Sequence, residues 1–330
     1  MRRSAAGWWR PALLVAGVAL AAVELRGHLP SPAATWQALR GAAPGWLLAA
    51  AALSVLSMAA FAEQQRHLLA AFGVRMPAGA SLALTYARSA MAAALPAGSA
   101  ISAGYAFRQF RARGAGQGIA AAVMLLSALA SIAGLALLYL VIAAGLPVWA
   151  LWLPAVAAVA AACVPVVRAA RPAAVAAEPA AEAPAAGGLR RTLRRTVTLA
   201  AAVPARRWLT VLAIAALNWL TDLACLLASM HAVGLTVPAR TAAIGYLVAQ
   251  LLRQIPATPG GVGVIEAALI VALTTAGAGA APAAAAVLIY RVLSCWSVLP
   301  IGLACWSALK TRIATAAEPQ PMLASGPIGR

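Results

Sequence analysis

The stretch Arg253–Leu269, RQIPATPGGVGVIEAAL, interrupts an apolar run with two prolines and three glycines. Pro256 and Pro259 lack a backbone N–H, and glycine relaxes the restriction on φ, so a continuous helix is not expected here. Inside a lipid bilayer, broken backbone persists only where protein or enclosed water satisfies its polar groups. Arg253 and Glu266 flank the break, and ionisable side chains at membrane depth mark functional sites. The stretch therefore predicts a broken membrane segment with a functional role.

A second interruption occurs in the first half of the chain, in ALPAGSAISAGYAFRQF from Ala94 to Phe110. Its break is Pro96-Ala97-Gly98, and Pro96 lies 163 residues before Pro259, close to half the chain length. Two apolar segments interrupted by Gly and Pro, one in each half, indicate the repeated architecture of transporters.

The composition sets the fold class. The chain has 330 residues, of which 64% are hydrophobic and only 10% charged. These values exclude an ordinary soluble domain and predict an all-α polytopic membrane protein. The apolar runs predict about six full spans plus two re-entrant or broken helical hairpins, in segments 78–108 and 241–279.

The net charge of +18 would suggest nucleic-acid binding in a soluble protein, but its distribution indicates a membrane topology instead. If the N-terminus, the linker and the C-terminus lie in the cytoplasm, the turns at 66–75 and 108–113 lie there too. These five segments contain 19 of the 25 basic residues, in agreement with the positive-inside rule. The two broken segments then begin on opposite faces of the membrane, which predicts an inverted-topology repeat. We expect a multi-pass protein of the cell (inner or plasma) membrane that does not bind nucleic acid.

The domain boundaries follow from changes in composition. The first membrane repeat is predicted over residues 1–168, a cytoplasmic Pro/Ala/Arg-rich linker over 169–207, a second repeat over 208–312 and a disordered tail over 313–330. The linker contains LRRTLRRTVTL, which is interpreted either as a short helix lying on anionic lipid or as a solvated basic segment. The first apolar run is interpreted as an uncleaved span, with a cleaved signal peptide as the alternative.

Several features point to the chemistry of the site. The return limb of each hairpin starts as a short helix, whose free N–H groups attract anions. Ser99 and the run Gly260-Gly261 are expected to be N-terminal capping or close-approach positions, and Arg88, Arg253 and Arg291 add positive charge. Glu266 is expected to gate the site, to pair with Arg291 or Arg253, or to carry a proton. The four cysteines show no ligand spacing, so no metal and no cofactor is expected.

At these residues the chain resembles a known family. IPATPGGVGVIEAAL, followed by AVLIYRVLSCWSVLPIG, is similar to the second half of the lysylphosphatidylglycerol synthase transmembrane-region family, also described as flippase-like. The family pattern is Pro-Gly-Gly-x-Gly-x-x-Glu and, further on, Tyr-Arg. The matching residues are Pro259, Gly260, Gly261, Gly263, Glu266, Tyr290 and Arg291. The first half is a looser match: a Gly-Glu pair common in relatives is absent, and Ser99, Ser102 and Ser127 occupy that region.

The resemblance implies movement of lipids or lipid-linked molecules between leaflets, without catalysis, because the soluble aminoacyl-transferase domain of the synthases is not expected here. Membrane lipids with an anionic headgroup are the expected partners. The alternatives are a membrane-embedded lipid-linked transferase and a non-transporting scaffold for envelope lipid synthesis. Asn218 and Asp222, on a polar stripe of one span, are predicted to point into the bundle interior. The predicted substrate-binding residues are Arg88, Pro96, Gly98, Ser99, Arg253, Pro259, Gly260, Gly261, Gly263, Glu266, Tyr290 and Arg291.

Overall fold

The computed structural model describes residues 31–95, 97–145, 198, 203–253 and 261–317, with side chains as far as Lys310. The two predicted spans at 11–25 and 148–167 lie outside the described residues, as does most of the predicted linker. The described part of the chain is helical and contains no strand. Its helices are α1 (Pro32–Arg40), α2 (Pro44–Ala71), α3 (Ala78–Ala94), α4 (Gly98–Arg111), α5 (Gln117–Ala143), α6 (Ala205–Ala232), α7 (Ala239–Arg253), α8 (Val264–Thr275), α9 (Ala280–Arg291) and α10 (Val298–Ala317).

Four helical segments of the described part are long and apolar enough to cross a membrane: Pro44–Ala71, Gln117–Ala143, Ala205–Ala232 and Ala280–Lys310. The last of these consists of α9, a π-helical turn at Val292–Trp296 and α10. These segments, together with the shorter apolar α8, confirm the all-α membrane class.

Two boundaries differ from those predicted. α6 begins at Ala205, within the predicted linker, because Pro204 takes the N-cap position, and its ring suits the first residues of a helix. α10 continues to Ala317, five residues into the predicted disordered tail. The segment from 313 to 317 reads IATAA, and alanine has the highest helix propensity.

The first predicted break lies between α3 and α4. Leu95 has φ −102° and ψ 144°, the extended conformation that a following proline imposes. Ala97 then adopts a left-handed φ of 54°, and α4 starts at Gly98. The two helices pack against each other, so the chain reverses within three residues.

The second break lies between α7 and α8, and its residues 254–260 are outside the described part. α7 and α8 also pack against each other. A Cβ atom added at Gly245 of α7 would lie 2.6 Å from Cβ of Ala272 in α8. Because the two residues are nearly equidistant from the break, α7 and α8 form an antiparallel hairpin.

The same order of elements occurs twice: a long helix, a hairpin and a second long helix. α2 and α6 each have 28 residues, and each is followed by a glycine with positive φ, 78° at Gly73 and 71° at Gly234. After the hairpins, Gly114 and Gly277 adopt φ values of 86° and 93°. Equivalent turns thus separate equivalent helices in the two halves.

The two hairpins pack at opposite ends of the bundle. Leu84 and Phe110 of the first hairpin belong to a core cluster with Leu69 near the end of α2. Leu247 and Leu273 of the second hairpin belong to a different cluster, which includes residues from the start of α2 and the end of α6. Each hairpin therefore has its own apolar core, at its own end of the long helices.

Candidate functional site

The start of α8 is built around Glu266. Gly263, at φ 87°, is the N-cap residue, and a side chain at that φ would be strained. The backbone N–H of Gly263 donates to Oε2 of Glu266 over 2.7 Å. This bond satisfies one of the free N–H groups at the helix start. The Gly-x-x-Glu spacing of the motif is thereby explained as a helix cap.

The other oxygen of Glu266 forms an ion pair. Nε of Arg291, at the end of α9, donates to Oε1 of Glu266 over 2.6 Å, and 3% of the arginine side chain and 19% of the glutamate side chain are exposed. Of the roles left open for Glu266 by the sequence, the structure shows pairing with Arg291. The pair joins the return limb of the second hairpin to the last long helix.

Asp222 of α6 accepts three hydrogen bonds at one oxygen atom. The hydroxyl groups of Tyr246 and Tyr290 donate to Oδ2 over 2.7 and 3.0 Å, and Nε2 of Gln250 donates over 3.2 Å. Tyr246 and Gln250 belong to α7, whereas Tyr290 belongs to α9. One carboxyl group therefore holds three helices together.

Tyr246 and Gln250 were not among the predicted site residues. Both are buried, with exposures of 0% and 3%. Their spacing of four residues places them on one face of α7, and that spacing, in an apolar helix, was the signal that could have identified them. Asp222 points into the bundle, as predicted for this residue.

Further polar side chains lie between the long helices. Oγ of Ser57 in α2 donates to Oδ1 of Asn218 in α6 over 2.9 Å, so Asn218 also faces the interior. Nε2 of the fully buried Gln64 donates to the carbonyl oxygen of Ser127 in α5 over 2.9 Å. Buried polar groups require such partners, and these bonds fix the relative positions of α2, α5 and α6.

The first hairpin contributes Arg88, on α3. Its Cζ atom lies 5.4 Å from the ring centroid of Phe61 in α2, within cation–π range. Arg88 is partly buried, and within the described ranges no carboxylate lies in ion-pair distance of it. It differs in this respect from Arg291.

Ser99 does not cap α4, and Gly98 packs closely against α3. Ala97, not Ser99, occupies the N-cap of α4, and no side chain caps this helix. Ser99 lies one position beyond Gly98 and is exposed. Gly98 is buried, and a Cβ atom there would lie 2.4 Å from the carbonyl oxygen of Met91. The capping prediction for Ser99 is therefore wrong, and the glycine is needed for close packing of α4 on α3.

The structure thus brings four predicted residues together: Asp222, Glu266, Tyr290 and Arg291. Arg253, exposed at the end of α7, acts electrostatically on Asp222. Gly261, at φ 68°, lies two residues before the cap. Pro96, Pro259 and Gly260 are outside the described residues. In the described part, no group of three His, Cys, Asp or Glu side chains could hold a metal ion.

Comparison with known families agrees with this architecture. The model of the family described as Lysylphosphatidylglycerol synthase TM region matches residues 9–302. The match includes both hairpins and the whole of the cluster around Asp222 and Glu266. None of the curated proteins matches the chain.

Proposed function

The chain belongs to the Lysylphosphatidylglycerol synthase TM region family, and on this premise we propose that it moves an anionic lipid or lipid-linked molecule between leaflets. The family is a membrane domain associated with lipid handling. The proposal has three parts: the protein moves a lipid between leaflets, it does so without catalysis, and the lipid has an anionic headgroup. The following observations support it.

The positions of the hairpins suit alternating access. In the proposal the two halves form an inverted-topology repeat, with both termini in the cytoplasm of a cell whose inner or plasma membrane contains the protein. Leu95 and Ala97 at the first tip, and Val262 and Gly263 at the second, are exposed although their helices are embedded. Each hairpin then presents its tip to a shared site within the membrane, as in transporters with broken helices.

The charges favour an anion. In the proposal three arginines lie at membrane depth, Arg88, Arg253 and Arg291, together with two acidic residues, Asp222 and Glu266. Glu266 neutralises Arg291 directly, which leaves Arg88 and Arg253 against Asp222. An uncompensated charge is costly at membrane depth, and a lipid phosphate would offset the remaining positive charge. The observation that carries the proposal is that none of the carboxylates in the described part of the chain lies in ion-pair distance of Arg88.

The described backbone of the second tip is compatible with anion binding. Gly261 and Gly263 both adopt positive φ, and glycines permit close approach of a ligand to backbone N–H groups. The start of α8 contributes the positive end of its helix dipole. Glu266 neutralises part of this field, so the tip provides weak, reversible attraction to a headgroup that must leave again.

Transport by purified protein in liposomes tests the proposal. Arg88→Gln and Arg253→Gln should each lower the rate for an anionic lipid more than the rate for a zwitterionic lipid, because each change removes charge but little volume. Arg108→Gln, which alters an exposed arginine at the end of α4, is the matched control and should leave the ratio unchanged.

Three results would contradict the proposal in different ways. If wild-type protein moves neither lipid, the scaffold alternative is favoured. If mass spectrometry detects a new lipid species in the same liposomes, the protein is a transferase. If the arginine variants lose the rates for anionic and zwitterionic lipid equally, recognition of the anionic headgroup is refuted, but lipid movement is not.

A further inference from the structure

The two acidic residues of the second half have different partners. Glu266 contacts the guanidinium of Arg291 and the N–H of Gly263. The three hydrogen-bond donors to Asp222 are all uncharged, two phenols and one amide. Removal of charge from Glu266 would break its ion pair with the buried Arg291, whereas neutralisation of Asp222 breaks no direct ion pair among the described residues.

The charged and titratable groups around Asp222 come from four helices. α7 contributes Tyr246 and Arg253, α9 contributes Tyr290 and Arg291, and α6 itself contributes Cys225 one turn away. α8 contributes Glu266 through its pair with Arg291. α2, which packs along α6, presents the uncharged Ser57 at this level. α5, Gln117–Ala143, has no Asp, Glu, Lys, Arg or His, and its tyrosine, Tyr139, is exposed. Arg253 and Arg291 act on Asp222 without direct hydrogen bonds to it among the described residues.

The three donors converge on Oδ2, and Oδ1 accepts no hydrogen bond from the described residues. Asp222 also retains some accessible surface, whereas its partners Tyr246 and Tyr290 are buried. Protonation at Oδ1 therefore requires no loss of the hydrogen bonds from the tyrosines to Oδ2. Oδ1 is the atom available to receive it.

Protonation would change how firmly the second hairpin is held. A carboxylate accepts charge-assisted hydrogen bonds, which are about twice as strong as bonds between neutral groups. A protonated Asp222 would hold Tyr246 and Gln250 of α7 only by neutral bonds. α7 carries Arg253 at its end, so a weaker attachment of α7 also frees the exposed cation of the tip.

We propose that Asp222 is a proton-binding site that links proton movement to release of the second hairpin. The link to transport rests on the proposed lipid translocation. A proton is taken from water on one side and returned to water on the other, so no co-reactant is needed. The coupling ion of this transporter would then be H⁺, bound by Asp222 and not by Glu266.

Infrared difference spectroscopy of the reconstituted protein tests proton binding directly. A change from acid to alkaline buffer should abolish the carbonyl band of a protonated carboxyl group. The band should be absent in Asp222→Asn and retained in Glu63→Gln. Glu63 serves as the control carboxyl group because it lies near the C-terminal end of α2, where it pairs with Arg66. Should Asp222→Asn not fold, Tyr290→Phe removes one hydrogen bond to Asp222 and should shift the band frequency. A wild-type spectrum without a titrating band, or a band insensitive to these changes, overturns the proposal.

Lipid movement under a pH gradient tests the coupling. A gradient should accelerate transport by wild-type protein and by Glu63→Gln, and the acceleration should be lost in Asp222→Asn. If the pH gradient does not change the transport rate of wild-type protein, the coupling is overturned, but the proposal of lipid translocation still stands. If no lipid moves under any condition, translocation fails, and the infrared band alone decides whether Asp222 binds a proton.

Discussion

Tyr290 and Arg291 are neighbours in α9, yet their side chains bind two different carboxyl groups. Tyr290 donates to Asp222 of α6 over 3.0 Å, and Arg291 donates to Glu266 of α8 over 2.6 Å. The Tyr-Arg pair of the motif therefore connects one long helix to both the bundle and the second hairpin. This double connection explains why the two residue types occur side by side.

The ion pair predicts a characteristic pattern of stability. Glu266→Gln removes the carboxylate that pairs with the buried Arg291, and the free energy of unfolding should fall by about 3 kcal/mol. Arg291→Gln should have a smaller effect, because Glu266 is partly exposed and keeps its bond to Gly263. The double variant Glu266→Gln/Arg291→Gln should recover part of the loss, since no isolated charge remains. Thermal unfolding in detergent measures all three, and strictly additive losses would show that the pair contributes nothing.

Gly98 and Gly104 of α4 provide a matched pair of substitutions. Gly98→Ala places a Cβ atom 2.4 Å from the carbonyl oxygen of Met91, so α4 must move away from α3, at a cost of about 1–3 kcal/mol. A Cβ atom at Gly104 meets no atom within 4 Å. Gly104→Ala should therefore stabilise α4 by up to about 1 kcal/mol, through helix propensity. Equal melting temperatures for the two variants would contradict the close packing described for Gly98.

Comparison of substitutions at Gly261 and Gly277 distinguishes a role in lipid movement from an effect of backbone strain. Both have positive φ, 68° and 93°, so valine at either position should cost about 1–2 kcal/mol in backbone strain. At Gly261 a Cβ atom would also lie 2.6 Å from Cδ1 of Ile265, whose side chain must shift, whereas at Gly277 it meets no atom within 4 Å. Gly277 belongs to the turn between α8 and α9, away from the hairpin tip. Gly261→Val should abolish lipid movement in liposomes, whereas Gly277→Val should retain it. Wild-type transport by folded Gly261→Val protein would exclude the tip as the binding site.

The inverted topology predicts opposite accessibility for two equivalent turns. Arg75, after α2, and Thr236, after α6, occupy corresponding positions and are both exposed. A single cysteine at position 75, in a cysteine-free background, should react with a membrane-impermeant thiol reagent only from the cytoplasmic side. A cysteine at position 236 should react only from the outside. Labelling of both from one side would rule out the inverted repeat, and a reporter fused within residues 175–190 gives an independent check of orientation.

The breaks in the helices were predictable because they are encoded locally. Proline at 96 dictates the extended Leu95, and the Gly-x-x-Glu spacing encodes the cap of α8. The all-helical membrane class follows in the same way from composition. These features depend on residues within one or two helical turns of each other, so the linear pattern contains them.

The contacts at the site could not be predicted because they join distant parts of the chain. The donors to Asp222 come from positions 24, 28 and 68 residues away, and a polar stripe indicates only that some partner exists. Ser99 illustrates the converse error. A serine near a helix start suggested a cap, but the N-cap is Ala97, two residues earlier, and Gly98 lies close to α3, which only the packing reveals.

The π-helical turn at Val292–Trp296 has a mechanical consequence. Its bond from the Ser297 N–H to the Val292 carbonyl, 2.8 Å, spans one residue more than an α-helical bond, so the helix after it is rotated by about 100° relative to an uninterrupted α-helix. Before the turn, the helix carries Arg291; after it, Gly302 packs against the backbone of Tyr86 in the first hairpin. The same helical segment therefore contacts the two hairpins on two faces whose relative orientation is set by the π-helical turn. Deletion of a single residue from the turn would leave every helix intact but rotate the contact face for the first hairpin relative to the contact face for the second.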